Sequence, residues 1–256
     1  MLTMGIDAGN LLTKVVLMDG DELVESVVAE TTGTVARDVE LLVSQVLEKA
    51  GIARDSIGQC GATGSGAAMV GGADFNEDEV TCVSVAAGYL LPDINMVVDI
   101  GGQSITSILI DEEGDIVNFM RNDKCASGSG RFLEVLSSAV GIPVSNIARA
   151  VKKASKRVVI SSQCGVFAES EVISHVNEGE QPEDIVAGLC DSVASMATAQ
   201  ARRFPNGDRY TLTGGVARIA LVRELIVKKL GGEYHEFPFD PVLAVATGAA
   251  LLAGAD

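Results

Sequence analysis

The sequence predicts an α/β protein built from two duplicated lobes that face each other across a cleft. Two observations carry the prediction: a strand–turn–strand pattern that recurs at a fixed offset, and helical periodicity in the segments that follow each copy. The first copy runs from Met4-Gly5-Ile6-Asp7-Ala8-Gly9 into Thr13 to Asp19, then Gly20-Asp21, then Leu23 to Glu30. The second runs from Val97-Val98-Asp99-Ile100-Gly101-Gly102 into Ile105 to Asp111, then Gly114-Asp115, then Ile116 to Arg121. Asp7 matches Asp99 and Asp19 matches Asp111, both at an offset of 92 (99−7 and 111−19). Each copy reads as three strands joined by tight turns.

The helices follow from spacing and punctuation. Val39, Leu42, Val43, Val46, Leu47 and Ala50 obey the i, i+3, i+4, i+7 rule of a one-faced helix, as do Ile185, Leu189, Val193, Met196 and Ala197. A further helix is expected through Phe132, Leu133, Val135 and Leu136, and another over Ile219 to Leu230. A terminal helix follows, with Asp240 placed to cap it and Pro241 at its first helical position. The expected organisation is an N-terminal lobe over residues 1–94, a C-terminal lobe over 95–240, and a terminal helix over 241–256 that returns to the first lobe.

Composition limits the function. With 47% hydrophobic and 21% charged residues in 256, the chain can bury a proper core. Only 4% is aromatic, while 28 glycines favour close packing of small residues and tight turns. A net charge of −16 excludes nucleic acid as a partner and disfavours an anionic membrane surface. The longest apolar stretch, Val242 to Ala255, is shorter than the roughly 18 residues a span requires, so it predicts a buried helix. The chain opens directly on a strand-like Leu2 to Asp7 without a signal-peptide pattern, from which a cytoplasmic protein is expected. Five scattered cysteines without a CxxC pair do not form a disulfide framework there.

A strand that ends in Asp-x-Gly and turns sharply presents backbone N–H groups around a concavity, and the absent glycine side chain lets a phosphate come close. The carboxylate at the strand end suits Mg²⁺ held largely through water. One such turn also serves as a plain hairpin; two at matching places in a duplication point to paired phosphate loops. A third turn, Leu212-Thr213-Gly214-Gly215-Val216-Ala217, follows a strand and opens a helix, which suits it to lie flat against a nucleoside. The three turns, in this order, resemble the phosphate-1, phosphate-2 and adenosine motifs of the actin/Hsp70/sugar-kinase ATPase fold, whose lobes are ribonuclease-H-like.

Two cysteine-centred segments narrow the resemblance. Asn122-Asp123-Lys124-Cys125-Ala126-Ser127-Gly128-Ser129-Gly130-Arg131-Phe132 and Ser161-Ser162-Gln163-Cys164-Gly165-Val166-Phe167-Ala168-Glu169-Ser170-Glu171-Val172-Ile173-Ser174 resemble the signatures of the activator ATPases of 2-hydroxyacyl-CoA dehydratases. That family includes the ATPase subunits of benzoyl-CoA reductases. The resemblance implies a homodimer with one [4Fe–4S] cluster at its interface, with Cys125 and Cys164 from each protomer supplying the four thiolates such a cluster takes. It implies ATP/ADP and Mg²⁺ in each cleft, a ferredoxin or flavodoxin as electron donor, and an Fe–S dehydratase or reductase as acceptor. Asp7 and Asp99 are then expected to organise Mg²⁺ and the attacking water, with Lys14 on the β/γ-phosphates. Gly9, Asn10 and Thr13, with Gly101, Gly102 and Gln103, are expected to line the phosphates, and Gly214, Gly215 and Val216 the nucleoside.

Three positions depart from the family pattern. Its Gly-Ser-Thr becomes Gly9-Asn10-Leu11, the Asp that often ends its second loop is Ser104, and its Thr-Gly-Tyr-Gly-Arg turn reads Thr63-Gly64-Ser65-Gly66-Ala67. A small-molecule kinase of the same fold and a non-hydrolysing nucleotide scaffold stay open as alternatives. Cys60, Cys82 and Cys190 are expected to be buried apolar side chains, and Glu169 and Glu171 to serve structure or ATP coupling.

Overall fold

A computed structural model of the chain describes residues 1–122 and 125–255. Asp123 and Lys124 of the first cysteine motif, and Asp256 at the end of the expected terminal helix, lie outside the described residues.

The N-terminal sheet contains β1 (Leu2–Ala8), β2 (Leu12–Asp19), β3 (Glu22–Glu30), β4 (Gln59–Thr63) and β5 (Phe75–Asn76), in the spatial order β3-β2-β1-β4-β5. Strands β1 to β3 pair antiparallel, whereas β4 lies parallel to both β1 and β5. The C-terminal sheet repeats this with β6 (Met96–Ile100), β7 (Ile105–Ile110), β8 (Ile116–Arg121), β9 (Arg209–Thr213) and β10 (Glu233–Tyr234), in the order β10-β9-β6-β7-β8. The duplication reaches below topology. A bulge interrupts the second hairpin between Leu17 and Met18 in one sheet and between Leu109 and Ile110 in the other, again 92 apart (109−17). A bulge twists and bends the ribbon at one point, so both hairpins are curved alike.

Helices α1 (Val35–Ala50) and α2 (Glu79–Leu90) belong to the first half of the chain. α1 buries Val39, Leu42, Val43, Val46 and Leu47 against β2 and β3, as the spacing predicts. In the second half, α3 (Gly130–Ala139), α4 (Ile147–Ala150), α5 (Gly165–Asn177), α6 (Pro182–Ala201) and α7 (Ala220–Leu230) precede α8 (Ala244–Ala253). α3 buries Phe132, Leu133 and Leu136 against α5 and α6 and leaves Val135 exposed, because a surface helix turns one stripe inward. Asp240 caps the last helix, its Oδ1 accepting from Val242 N, and that helix begins as a 3₁₀ turn at Pro241.

The closing helix of each half crosses to the other sheet. α2 packs on β6 and β7, and α8 packs on β1, β2 and β4. The two helices also pack on each other so closely that a side chain at Gly248 would collide with the Cys82 carbonyl. Small residues permit both contacts of α8: Ala244 and Ala249 pack with the α2 side chains, and Ala246 and Ala250 lie on the first sheet. No helix among the described residues is long and apolar enough to cross a membrane.

Candidate active site

The ends of β1 and β6 bring the two repeated aspartates to one cleft. In β1, Asp7 is in register with Lys14 of β2 on one side and Thr63 of β4 on the other. Lys14 Nζ donates to Asp7 Oδ2 at 2.7 Å, a pair almost wholly removed from solvent. The other oxygen, Oδ1, is buried without a hydrogen-bond partner among the described residues. An ionised oxygen left so is costly unless a donor or cation arrives. The space over it is kept open by glycine: a Cβ at Gly64 would stand 2.6 Å from Oδ1, and one at Gly9 3.3 Å away. Gly64 also has φ +88°, where only glycine is unstrained.

In β6, Asp99 is in register with Thr106 of β7 and Thr213 of β9. Thr213 Oγ1 donates to Asp99 Oδ1 at 2.8 Å. Burial pushes the Asp99 carboxyl above the ordinary carboxylate range; the Thr213 bond and the Lys14 charge pull against it, and Asp7 adds to it. Gly214, which follows Thr213 with φ +88°, matches Gly64 after Thr63.

Glu79, the first residue of α2, reaches the same cleft and was not among the residues the sequence pointed to. Arg121 Nη2 donates to its Oε2 at 2.6 Å, and Arg121 Nε donates to Thr106 Oγ1 at 3.1 Å. Burial raises the Glu79 carboxyl, the Asp7 charge raises it further, and Arg121 opposes both. Asn10, Gly64, Glu79, Gln103, Ser104 and Arg121 face a common cavity of about 510 Å³ between the lobes. Among the described residues no three acidic, histidine or cysteine side chains stand close enough to hold a metal by themselves. Two carboxylates, Asp7 and Asp99, fit Mg²⁺, which keeps waters and phosphate oxygens as most of its ligands.

The structure brings Asp7, Lys14, Asp99, Gly9, Gly101, Gly102, Gln103 and Asn10 to the cleft, and it sends two expected residues elsewhere. Thr13 pairs with Ala8, is fully buried, and shares its hydroxyl with Thr31, which in turn donates to the Gly9 carbonyl at 2.8 Å. Alternation along β2 forces this, since Lys14 takes the cleft side. Val216 places its side chain in the C-terminal core. Leu11 accounts for its own departure from the family pattern: it lies against the second loop, 3.1–3.3 Å from where a Cβ on Gly102 would be.

The second phosphate loop is tied to the first cysteine motif. Gly130 N donates to the Gly101 carbonyl at 2.9 Å and Arg131 N to the Gly102 carbonyl at 2.8 Å, so the first amides of α3 hold that loop. Cys125 precedes α3 by five positions (130−125) and Cys164 is the N-cap of α5. Both are exposed, whereas Cys60, Cys82 and Cys190 are buried. Burial pushes those three thiols up to about 11, 12 and 12. The Cys125 thiol is instead lowered by hydrogen bonds from Ser127, whose Oγ lies 2.9 Å from Sγ.

Comparison with known proteins agrees with this architecture. The (R)-2-hydroxyglutaryl-CoA dehydratase activating ATPase of Acidaminococcus fermentans is 41% identical over 98% of this chain and 96% of its own. The solved structure of the activator of the 2-hydroxyisocaproyl-CoA dehydratase from Clostridium difficile, with bound ADPNP, has a TM-score of 0.90 at 35% identity, over 99% of this chain and 94% of that one. A ROK family glucokinase from Streptomyces griseus, in complex with glucose and AMPPNP, shares the fold alone, with a TM-score of 0.62 at 13% identity and full coverage of both chains. The pattern of one family matches residues 4–253. The chain therefore belongs to the BadF/BadG/BcrA/BcrD ATPase family, on the actin/Hsp70/sugar-kinase fold.

Proposed function

We propose that this ATPase activates a 2-hydroxyacyl-CoA dehydratase, or a related Fe–S reductase, by ATP-driven electron transfer from a homodimer. The observation that carries the reading is the division among the cysteines. Cys125 and Cys164 are exposed at the approaches to α3 and α5, and the remaining three are sealed in apolar cores. A helix N-terminus presents free N–H donors and partial positive charge, which suits anionic thiolates.

Two thiols per chain fit half of a [4Fe–4S] site, so two protomers would hold one cluster through four thiolates. When bound, that group supplies a low-potential one-electron carrier, filled by a ferredoxin or flavodoxin. The chain's own residues handle the nucleotide. Asp7 Oδ1 and Asp99 would hold hydrated Mg²⁺ and Lys14 would neutralise phosphate charge, while the glycines at 9, 101 and 102 let phosphates approach the backbone. Glu79 orients the attacking water, and Gly214 and Gly215 lie along the nucleoside. Catalysis on this reading is positioning and charge neutralisation. Its result reaches the cysteines because the Gly101 and Gly102 carbonyls are bound to the start of α3. Loss of the γ-phosphate releases that loop, and the lobes turn about the α2–α8 contact.

Anaerobic iron and sulfide analysis combined with native mass tests the reading. A dimer with about four irons is expected for the wild-type chain. Cys125→Ala and Cys164→Ala should each remain folded and iron-free. A monomer that takes up no iron on reconstitution overturns the proposal.

A further inference from the structure

The segment that delivers Cys164 has no regular structure, yet it is held at both ends. Residues 157–163 run without helix or strand from the region of α4 to the first turn of α5. Val158 and Ile160 point into the C-terminal core, while Val159 is 77% exposed. At the near end, the Asp184 carboxylate of α6 accepts from Ser155 N, Ser155 Oγ and Lys156 N. The strap then crosses α6 at Gly188, where any side chain would strike the Val158 carbonyl.

At the far end a single carboxylate does the holding. Glu171 Oε2 accepts from Ser161 N at 2.8 Å and from Ser162 N at 3.3 Å, and Oε1 accepts from both serine hydroxyls. Helical side chains lean toward the N-terminus, so Glu171, two turns into α5, reaches back along its own helix to the strap beside it. Burial would raise the Glu171 carboxyl, but the four serine bonds outweigh it and leave it below its ordinary value. Only Gln163 separates the clamped serines from Cys164, whose own carbonyl accepts from Ala168 N at 2.8 Å to open the helix. Cys164 is thus fixed from one side by the helix backbone and from the other by Glu171.

We propose that Glu171 is the positioning residue for Cys164: its carboxylate sets where the thiol stands and how exposed it is. This rests on the reading of Cys164 as a cluster ligand only for its purpose, since the placement itself is a property of the iron-free chain. Glu169 does not share the role; it is exposed and makes no such bond among the described residues.

The test is the rate at which iodoacetamide modifies each cysteine of the full-length, iron-free chain, followed by peptide mass mapping. Glu171→Ala removes all four serine bonds and should change the Cys164 rate by at least about tenfold, the effect of a single charge-assisted bond, and leave Cys125 unchanged. The double variant Ser161→Ala/Ser162→Ala removes the side-chain half of the clamp from the other side and should move the same rate in the same direction, deciding the matter should Glu171→Ala fail to fold. Glu171→Gln, which keeps acceptor oxygen, should restore part of the wild-type rate. Unchanged Cys164 reactivity in these variants overturns the proposal, as does an equal change at Cys125, which would mean general loosening. Anaerobic reconstitution separates the two readings: a wild-type chain that binds no iron sinks the cluster assignment, while altered Cys164 reactivity still supports the clamp.

Discussion

The two lobes share strand order, register, bulge position and a Thr-Gly step after the fourth strand, yet they spend these features differently. In the N-terminal lobe the aspartate is paired with a lysine one strand over, and its second oxygen has no partner among the described residues. In the C-terminal lobe the equivalent of Lys14 is Thr106, and the cation has moved another strand out, to Arg121. There it serves Glu79, and among the described residues Asp99 keeps a threonine hydroxyl alone. The linkers diverge further. The third strand of the first lobe passes to α1 through residues 31–34, whereas the third strand of the second reaches α6 only after residues 122–181, which carry both exposed cysteines. Duplication supplied a symmetric clamp, and the asymmetry is where charge balance and the link to the thiols reside.

This contrast can be broken from either side. Asp7→Asn and Asp99→Asn should each slow ATP hydrolysis by about 10²–10³-fold, the usual loss when one preorganised charge-stabilising group is removed. Steady-state phosphate release checks it, and wild-type rates in both would remove them from the chemistry. Their stabilities should split. Asp7→Asn leaves the Lys14 ammonium buried without its partner and should cost about 3 kcal/mol in urea unfolding. Asp99→Asn removes a carboxylate the fold disfavours in its charged form, and the nucleotide-free protein should gain stability at neutral pH.

The pH dependence gives the sign separately. Asp99 and Glu79 have folded-state values raised above 3.8 and 4.5. The folded chain therefore binds more protons than the unfolded chain in the window that opens at those values. Their contribution is most favourable below it and diminishes as pH rises through the raised values. Melting temperature recorded against pH should lose part of this slope in Asp99→Asn. Gly64→Ala sets a methyl group beside Asp7 Oδ1 at positive φ, so about 1–2 kcal/mol of stability and some nucleotide affinity should go together. Cys190→Ala should cost about 1 kcal/mol in the core and leave iron content unchanged.

Much of this was legible because it is local. The hairpins, α1, α6 and the capped start of the last helix follow from alternation, 3.6-residue spacing, Gly-Asp turns and the Asp-Pro step. β5 and β10 were not legible, since two-residue strands have no period. β4 ends in a Thr63-Gly64 turn that matches Thr213-Gly214 after β9, and that match is the available signal. Glu79 could not be found, because an acid after a capping Asp78 looks like any helix start; only the crossing of α2 sets it near Asp7 and Asp99. Thr13 was assigned to the nucleotide although its neighbour Lys14 already claimed that face. That Cys125 and Cys164 are exposed while the others are buried depends on packing across α3, α5 and α6, which no local spacing encodes.

The exchange of closing helices between halves bears on how a ribosome can deliver this chain. The apolar side of the first sheet, with Val16 and Met18, is covered by Val242, Leu243, Ala246 and Ala250, more than two hundred positions later. Throughout synthesis that surface stands open, unable to be satisfied by anything nearby in order of emergence. Nascent chains halted before α8 should bind holdase chaperones, and their release should coincide with the arrival of that helix.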